Sequence, residues 1–468
     1  MPDTLDPGTD TAADAADAAD APGAADATGA LDTPDSTDAA DSTEVVDVAV
    51  VGAGPVGLLL ACLLVQRGLS VVVLEAREQG SEHSRAIGIH PPGLAVLAQL
   101  GLADAAISAG TPIFRGEAWC DGEVLGGLDI SEAAGRYPFV LALPQRDTER
   151  LLRERLTELC DGRDPVRRGA RVVALSQRGD IVRVRLAAGA GLRARYAVGA
   201  DGARSRVREY LGISWRAVGD AQPYLMGDFR SEQSEPARSG VRGSPLAAPH
   251  MATTALLAFE RGGVVESFPL PGGWRRWVVL TGRLRPEATA DELAAIVRQR
   301  TGIVLDAAAG AATAGNDTNH AHDNNHPHDS DHDNAQRTAR SISAFAVRQH
   351  LAGTMAAGRV ALLGDAAHEV SPIGGQGMNL GWLDAAALAP ALELGVRGGH
   401  ALGSRALADY SARRGRAARR TVLQASFNMG VGRPARGGSL AARNALVRLL
   451  ARPPFRALLA QAFTMRGL

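Results

Sequence analysis

Apolar and polar positions along this chain follow three successive rhythms. Residues 45–51, "VVDVAVV", are almost continuously apolar, the pattern of a strand buried on both faces of a parallel sheet. An apolar helical pattern runs on through Leu64 and stops at Gly68, and "SVVVLEA" supplies a second strand. The buried-strand pattern returns in "YAVGADG" and in "RVALLGD", where each run ends on glycine and aspartate. "MNLGWLDAAALAPALELG" has helical spacing. Between these segments the rhythm shifts to strands with glycine-rich turns, in "PYLMGDFR" and "TTALLAFERGGVVESFPLPGGWRRWVVLTGRL", with "FERGG" as a hairpin turn. "DELAAIVRQRTG" then predicts a helix opened by an aspartate cap. Beyond residue 400 the pattern is of amphipathic helices.

Buried strands joined by helices predict an α/β body, and 468 residues are enough for two or three structural units. Charge changes the picture at the start. Residues 1–44 hold twelve acids and no base, so the net −1 divides into −12 there and +11 elsewhere. That Ala/Asp-rich segment has too few large side chains to offset chain entropy, and a disordered acidic leader is expected. Residues 315–334 crowd together His320, His322, His326, His328 and His332 without apolar periodicity, so a disordered insertion is expected, with no catalytic metal. The chain contains no lysine, which excludes Walker A loops and Schiff-base catalysis. Cys62, Cys120 and Cys160 form no CxxC pair, and Cys62 is read as a buried small apolar residue. No apolar run approaches the roughly 18 residues of a membrane span, and no secretory segment opens the chain. A cytoplasmic protein without stable membrane insertion is expected. The arginines at 413–420 are spaced around a helix with no aromatic neighbours, so they read as a solvated face and not as a nucleic-acid surface.

The candidate chemistry begins at "VGAGPVG". Gly52, Gly54 and Gly57 follow a strand and open a helix through Pro55 and Val56. Gly52 permits a tight turn, Gly54 lets the backbone approach a pyrophosphate, and Gly57 allows close helix–strand packing. Glu75 and Ala76 end the next strand about twenty residues on, where a carboxylate can accept hydrogen bonds from a ribose diol. A second glycine-rich turn, "GDAAHEVSPIGGQGMN", places Gly364 and Asp365 at a strand end and opens another helix. The unpaired N–H groups of a helix N-terminus suit the edge of a flavin ring, which becomes anionic on reduction. One extended cofactor, FAD, accounts for both turns. The block "GADGARSRVREYLG" adds Asp201 and Gly202, with Ser205 and Arg208 on a short helix. That block also reads as an ordinary strand-to-helix turn with an aspartate cap.

Together "GAGPVGL", "GADGARSRVR" and "GDAAHEVSPIGGQGMNLG" resemble the motifs of the group A flavoprotein monooxygenases, the aromatic-ring hydroxylases, across most of residues 45–430. The resemblance implies a Rossmann-like FAD-binding domain with an interleaved β-sheet substrate domain and C-terminal helices. The FAD-binding domain would span 45–215 and 341–400, with a substrate-domain segment near 110–145. The sheet would span 216–305, the insertion 306–340 and the terminal helices 401–468, with no room for the thioredoxin-like domain some relatives add. It further implies that Arg85 lies near the FAD phosphates, that Gln145 contacts the flavin and that Asp365 binds the ribityl chain. Pro372 and Gln376 would stand where substrate and oxygen meet the ring, and Gly377, Met378 and Asn379 would offer backbone or amide contacts to its pyrimidine edge. Trp274 and Trp277 are read equally as lining the substrate cavity or as packing on the strand surface, His250 is a candidate to face the cavity, and His368 is read as structural. The implied activity is hydroxylation of an apolar aromatic or polyketide-like molecule with O2 and NADPH or NADH. The alternative is a reductase or oxidase that inserts no oxygen. The absence of lysine and the mismatch of "WRRWVV" to a WxWxIP motif exclude a halogenase.

Overall fold

A computed structural model describes residues 41–79, 86–132, 135–189, 191–231, 249–306, 315–316, 339–371 and 375–465. The first 40 residues, most of the His-rich segment, Arg85 and Pro372 lie outside the described residues.

The apolar runs of the first rhythm assemble into one sheet. Its spine runs Ala356–Ala357, Val360–Leu362, Gly191–Gly199, Asp41–Val51, Val71–Leu74 and Val166–Arg167. The four strands Val360–Leu362, Gly191–Gly199, Asp41–Val51 and Val71–Leu74 are mutually parallel neighbours. Their carboxyl ends therefore lie along one edge, and that edge carries every motif turn: Gly52, Glu75, Asp201 and Gly364. Val48, Ala49, Val50, Val73, Ala197, Val198 and Val360 are all fully buried, as expected of strands covered on both faces. The first strand begins at Asp41, so the last four positions of the expected leader join it.

The second sheet is mostly antiparallel. Its order is Gly315–Asn316, Ala339–Val347, Gln222–Arg230, Trp274–Leu280, Gly263–Leu270, Thr254–Glu260, Arg115–Cys120 and Glu123–Asp129. Thr254–Glu260 and Gly263–Leu270 form a hairpin with Arg261 and Gly262 at its turn. Strand alternation gives this sheet two distinct faces. Leu225, Val265, Trp277 and Val279 pack with Leu293 and Val297 of the helix Ala290–Thr301. On the other face Ala255, Leu270 and Trp274 pack with Ile87, Ile113, Val140 and Ala142. Those partners belong to, or adjoin, a small sheet of Gly88–Ile89, Val140–Ala142 and Thr111–Ile113. This small sheet joins the second sheet to the glycine-rich half of the molecule.

Trp274 and Trp277 are three positions apart on one strand and so face opposite ways. Trp277 packs under the helix and does not reach the inner face, contrary to its candidate role in the cavity. His250 is half exposed, with Nε2 3.3 Å from Glu117.

Two long helices, Gln376–Gly398 and His400–Val431, close the parallel sheet, and Gly437–Leu450 and Phe455–Phe463 follow. Most of the arginines at 413–420 are exposed, but Arg414 is buried and paired. It therefore departs from the reading of that run as a solvated face. No helix among the described residues is long and apolar enough to cross a membrane.

Candidate cofactor and substrate site

The backbone builds the first turn. Gly52 has φ +106°, and a Cβ there would collide with the carbonyl oxygen of Ala200 on the neighbouring strand. Only glycine fits that position. Gly57 is equally constrained, because its Cβ would meet the Gly52 carbonyl oxygen. Gly54 differs from both. Its φ is −73°, which any residue adopts, and a Cβ there would meet nothing within 4 Å. The space above Gly54 is open, and the helix Pro55–Val65 begins beneath it with no side-chain cap. The orphan N–H groups of its first turn face a hollow that a phosphate fits.

Glu75 stands beside this turn. Its Oε2 accepts the Ala53 N–H at 3.0 Å, and its Oε1 accepts the N–H and Nε–H of Arg77 at 3.1 and 3.0 Å. Burial pushes the carboxyl up, but these donors together outweigh it and hold Glu75 below the ordinary carboxylate range. Oε2 keeps an acceptor site for a further donor. Ala76, next in the chain, is exposed.

The "GADGARSRVR" block converges on the same edge. Ala200 N donates to Val51 O at 2.8 Å. Asp201 Oδ2 accepts the Val207 N–H at 3.1 Å, and Ser205 caps the short helix by accepting from Arg208 N. The N-cap of this turn is therefore Ser205 and not the expected aspartate, which supports the helix start from further upstream. Burial raises the Asp201 carboxyl above its usual range despite these bonds. Gly202 has φ +80° and open space above it. The Arg208 guanidinium reaches across to the second glycine-rich turn, donating to Ala366 O at 3.0 Å, while stacking 3.8 Å from the ring centre of Trp215.

The second turn lies against the first. Gly364, at φ +58°, has the Val56 side chain 3.3 Å from where its Cβ would be, and Trp382 Nε1 donates to Pro55 O at 3.1 Å. Leu363 N donates to Gly199 O at 3.1 Å, so all three blocks are locked to one another. Asp365 is exposed on this surface. The helix Gln376–Gly398 starts from Gly375 in left-handed backbone with no side-chain cap and no acid in its first turn. Gln376 is buried at 1% exposure, and neither its Oε1 nor its Nε2 has a hydrogen-bond partner among the described residues. An orphaned amide at an uncapped helix start is what a heterocyclic edge with donors and acceptors would satisfy.

Asn379 is placed differently from one of its two expected roles. Its Nδ2 donates to Gly88 O and Gly375 O, each at 2.8 Å, and its Oδ1 accepts the His90 N–H at 2.8 Å. The amide is spent on tying the small sheet to the helix start, which leaves only its backbone for a cofactor. Gln145 starts its own helix, with Nε2 2.8 Å from Glu149 Oε1. Gly377 and Met378 occupy the first helical turn.

A buried charge network underlies the turn. Asp384 Oδ1 accepts from Arg414 Nε at 2.6 Å, and Oδ2 bonds His368 Nε2 and accepts the Gly364 N–H at 3.3 Å. Burial drives the Asp384 carboxyl up, but His368 and Arg414 outweigh it and hold it below the ordinary range. The sequence reading missed Asp384 and Arg414. The available signal was an aspartate in an otherwise apolar helical pattern, which a buried partner must explain.

The model of the family described as FAD binding domain matches residues 45–425. Rifampicin monooxygenase from Streptomyces venezuelae is 34% identical over 72% of this chain and 62% of that protein. The 6-methylpretetramide 4-monooxygenase of Streptomyces rimosus is 34% identical over 75% of this chain and 56% of that protein. The chain thus spans about three fifths of the length of these curated relatives. Among solved structures, OxyS anhydrotetracycline hydroxylase from Streptomyces rimosus superposes with a TM-score of 0.67 at 26% identity, covering 91% of this chain and 77% of that one. With its three motif blocks gathered on one sheet edge and a match over most of its length, this chain belongs to the family described as FAD binding domain.

Proposed function

We propose that this protein is an FAD-dependent monooxygenase that uses NADPH or NADH and O2 to hydroxylate an apolar aromatic, polyketide-like small molecule. The observation that carries the reading is the meeting of both glycine-rich turns at one edge, Gly364 against Val56 and Trp382 against Pro55. A single cofactor laid along that edge would have its pyrophosphate over Gly54 and its ribose at Glu75 and Ala76. Asp201 and Gly202 would border it, Asp365 would take the ribityl hydroxyls, and Gln145 would adjoin the ring. The N–H groups of Gln376, Gly377, Met378 and Asn379 would hold the pyrimidine edge, with the Gln376 amide beside them. When bound, FAD supplies the redox chemistry, accepting reducing equivalents from the nicotinamide and activating dioxygen. The chain's own part is preorganisation. Uncapped N–H groups, fixed before the reaction, stabilise negative charge where it develops on the ring edge. The inner face of the second sheet covers the site and excludes water.

The reading is tested by purifying the protein, scanning for flavin absorbance, and scoring polycyclic phenols and quinones for stimulation of NAD(P)H oxidation and O2 uptake. We expect bound flavin and at least one stimulating phenol. Nicotinamide-driven turnover that proceeds fully without oxygen would overturn the reading.

A further inference from the structure

The inner face of the second sheet holds a carboxyl group, Glu266, that no described residue hydrogen-bonds. Register places Glu266 opposite Val278 and Leu257, and Phe268 opposite Arg276. Met226 and Asp228 pair with Val278 and Arg276, so Met226, Asp228, Leu257, Glu266, Phe268, Arg276 and Val278 share one face. At one end of that face Phe268 packs with the cluster of Ala255, Leu270 and Trp274 against the small sheet. The Gly88–Ile89 strand of that small sheet is tied by Asn379 to the start of the Gln376–Gly398 helix. At the other end Val264 and Val278 pack with Met429. Glu266 lies between, over the side of the molecule that carries the uncapped helix start.

Its neighbour on the face shows what a satisfied acid looks like here. Asp228 accepts from Arg276 Nε at 2.7 Å and from Nη2 at 3.0 Å, with Arg340 at 4.0 Å. Glu266 is 3% exposed and accepts no hydrogen bond from any described residue. Burial alone pushes its carboxyl up to about 7. A buried carboxyl without a partner is a net cost to the free protein, and a ligand donor is what removes it. The surroundings restrict the ligand. Leu257 and Phe268, both part-buried, are the apolar neighbours of Glu266 on this face, with Met226 and Val278 packed in the core cluster beside them. Arg276 on the same face is already paired with Asp228, with Arg340 beside that pair.

We propose that Glu266 determines substrate specificity by hydrogen-bonding a ring hydroxyl of a polycyclic phenol held on this face. The proposal rests on the monooxygenase reading above, because it takes this face as the cover of the substrate site.

The probes are alizarin, a three-ring dihydroxylated quinone, and anthraquinone, which has the same rings without hydroxyls. Binding to the flavin-loaded protein is read by equilibrium dialysis, with Glu266→Leu and Glu266→Gln beside the wild type and circular dichroism to verify folding. A hydrogen bond to this carboxyl predicts that the wild type favours alizarin by about tenfold or more. In Glu266→Leu the preference should collapse to about twofold, with flavin content unchanged, while Glu266→Gln, which keeps an acceptor oxygen, should fall between. An unchanged preference in either folded variant overturns the proposal, as does a flavin-replete wild type that binds neither dye. A wild type without flavin would break the monooxygenase reading instead. In that case the same dialysis is run on the flavin-free protein, where a preference for alizarin that Glu266→Leu abolishes supports the role of Glu266 and one that it leaves unchanged overturns it.

Discussion

Three glycines of one turn serve different purposes, and substitution separates them. Gly54 has ordinary backbone angles and open space above it, so Gly54→Val should fold normally yet purify without flavin, its side chain filling the phosphate hollow. Gly52 is held by its positive φ and the Ala200 carbonyl, so Gly52→Ala should lower the melting temperature of the chain itself. Thermal unfolding with a flavin absorbance scan distinguishes the two, and a yellow, flavin-replete Gly54→Val would remove the phosphate from this loop. Glu266 gives a pH-dependent prediction. Its carboxyl rises from the ordinary 4.5 to about 7 through burial, so the folded protein holds a proton that the unfolded chain has lost between those values. The cost of Glu266 is therefore absent below about pH 4.5, grows as pH rises, and is complete above about pH 7, with a ceiling of about 3 kcal/mol. Glu266→Gln should raise the melting temperature over the wild type at pH 8 and much less at pH 5. An equal difference at both pH values would contradict this.

At the scale of elements, Asp384 joins three of them. Through it the Gln376–Gly398 helix holds His368 and Gly364 of the second turn and Arg414 of the His400–Val431 helix. Asp384→Ala would strand a buried guanidinium and release the turn, so we expect a loss of about 3–5 kcal/mol in unfolding measurements, accompanied by weaker flavin retention. A variant with unchanged melting temperature and flavin content would show that the network is dispensable. His368 belongs to this network, in keeping with its structural reading. How much was legible beforehand follows from the same physics. The glycine turns were readable because they are backbone constraints that only glycine meets, and they sit at strand ends with a local signature. Glu266 and Asp384 were not, since each looks like a single polar residue in an apolar run until register and helix packing show what faces it. The two tryptophans are instructive here, because a spacing of three on one strand already places them on opposite faces. His250 stands in the sequence without a pattern to orient it, and the structure puts it at a half-exposed turn beside Glu117.

At the scale of the molecule, residues Ala40–Leu468 form one compact unit in which four parallel strands deliver their turns to a single edge. Sequence-distant blocks become neighbours there because parallel strands share a direction, which also explains why one chain carries two glycine-rich turns over three hundred residues apart. The second sheet has one face under a helix and the other packed on the small sheet that Asn379 ties to the start of the Gln376–Gly398 helix. The fold alone does not dictate oxygen insertion, since a flavin on such an edge also serves hydride transfer. The decisive measurement is the mass of the product formed from a turnover-stimulating phenol under labelled dioxygen in ordinary water. A monooxygenase places one labelled oxygen atom in each product molecule, with NAD(P)H consumed in step. A product that carries no label, or that forms equally well without oxygen, would contradict this reading.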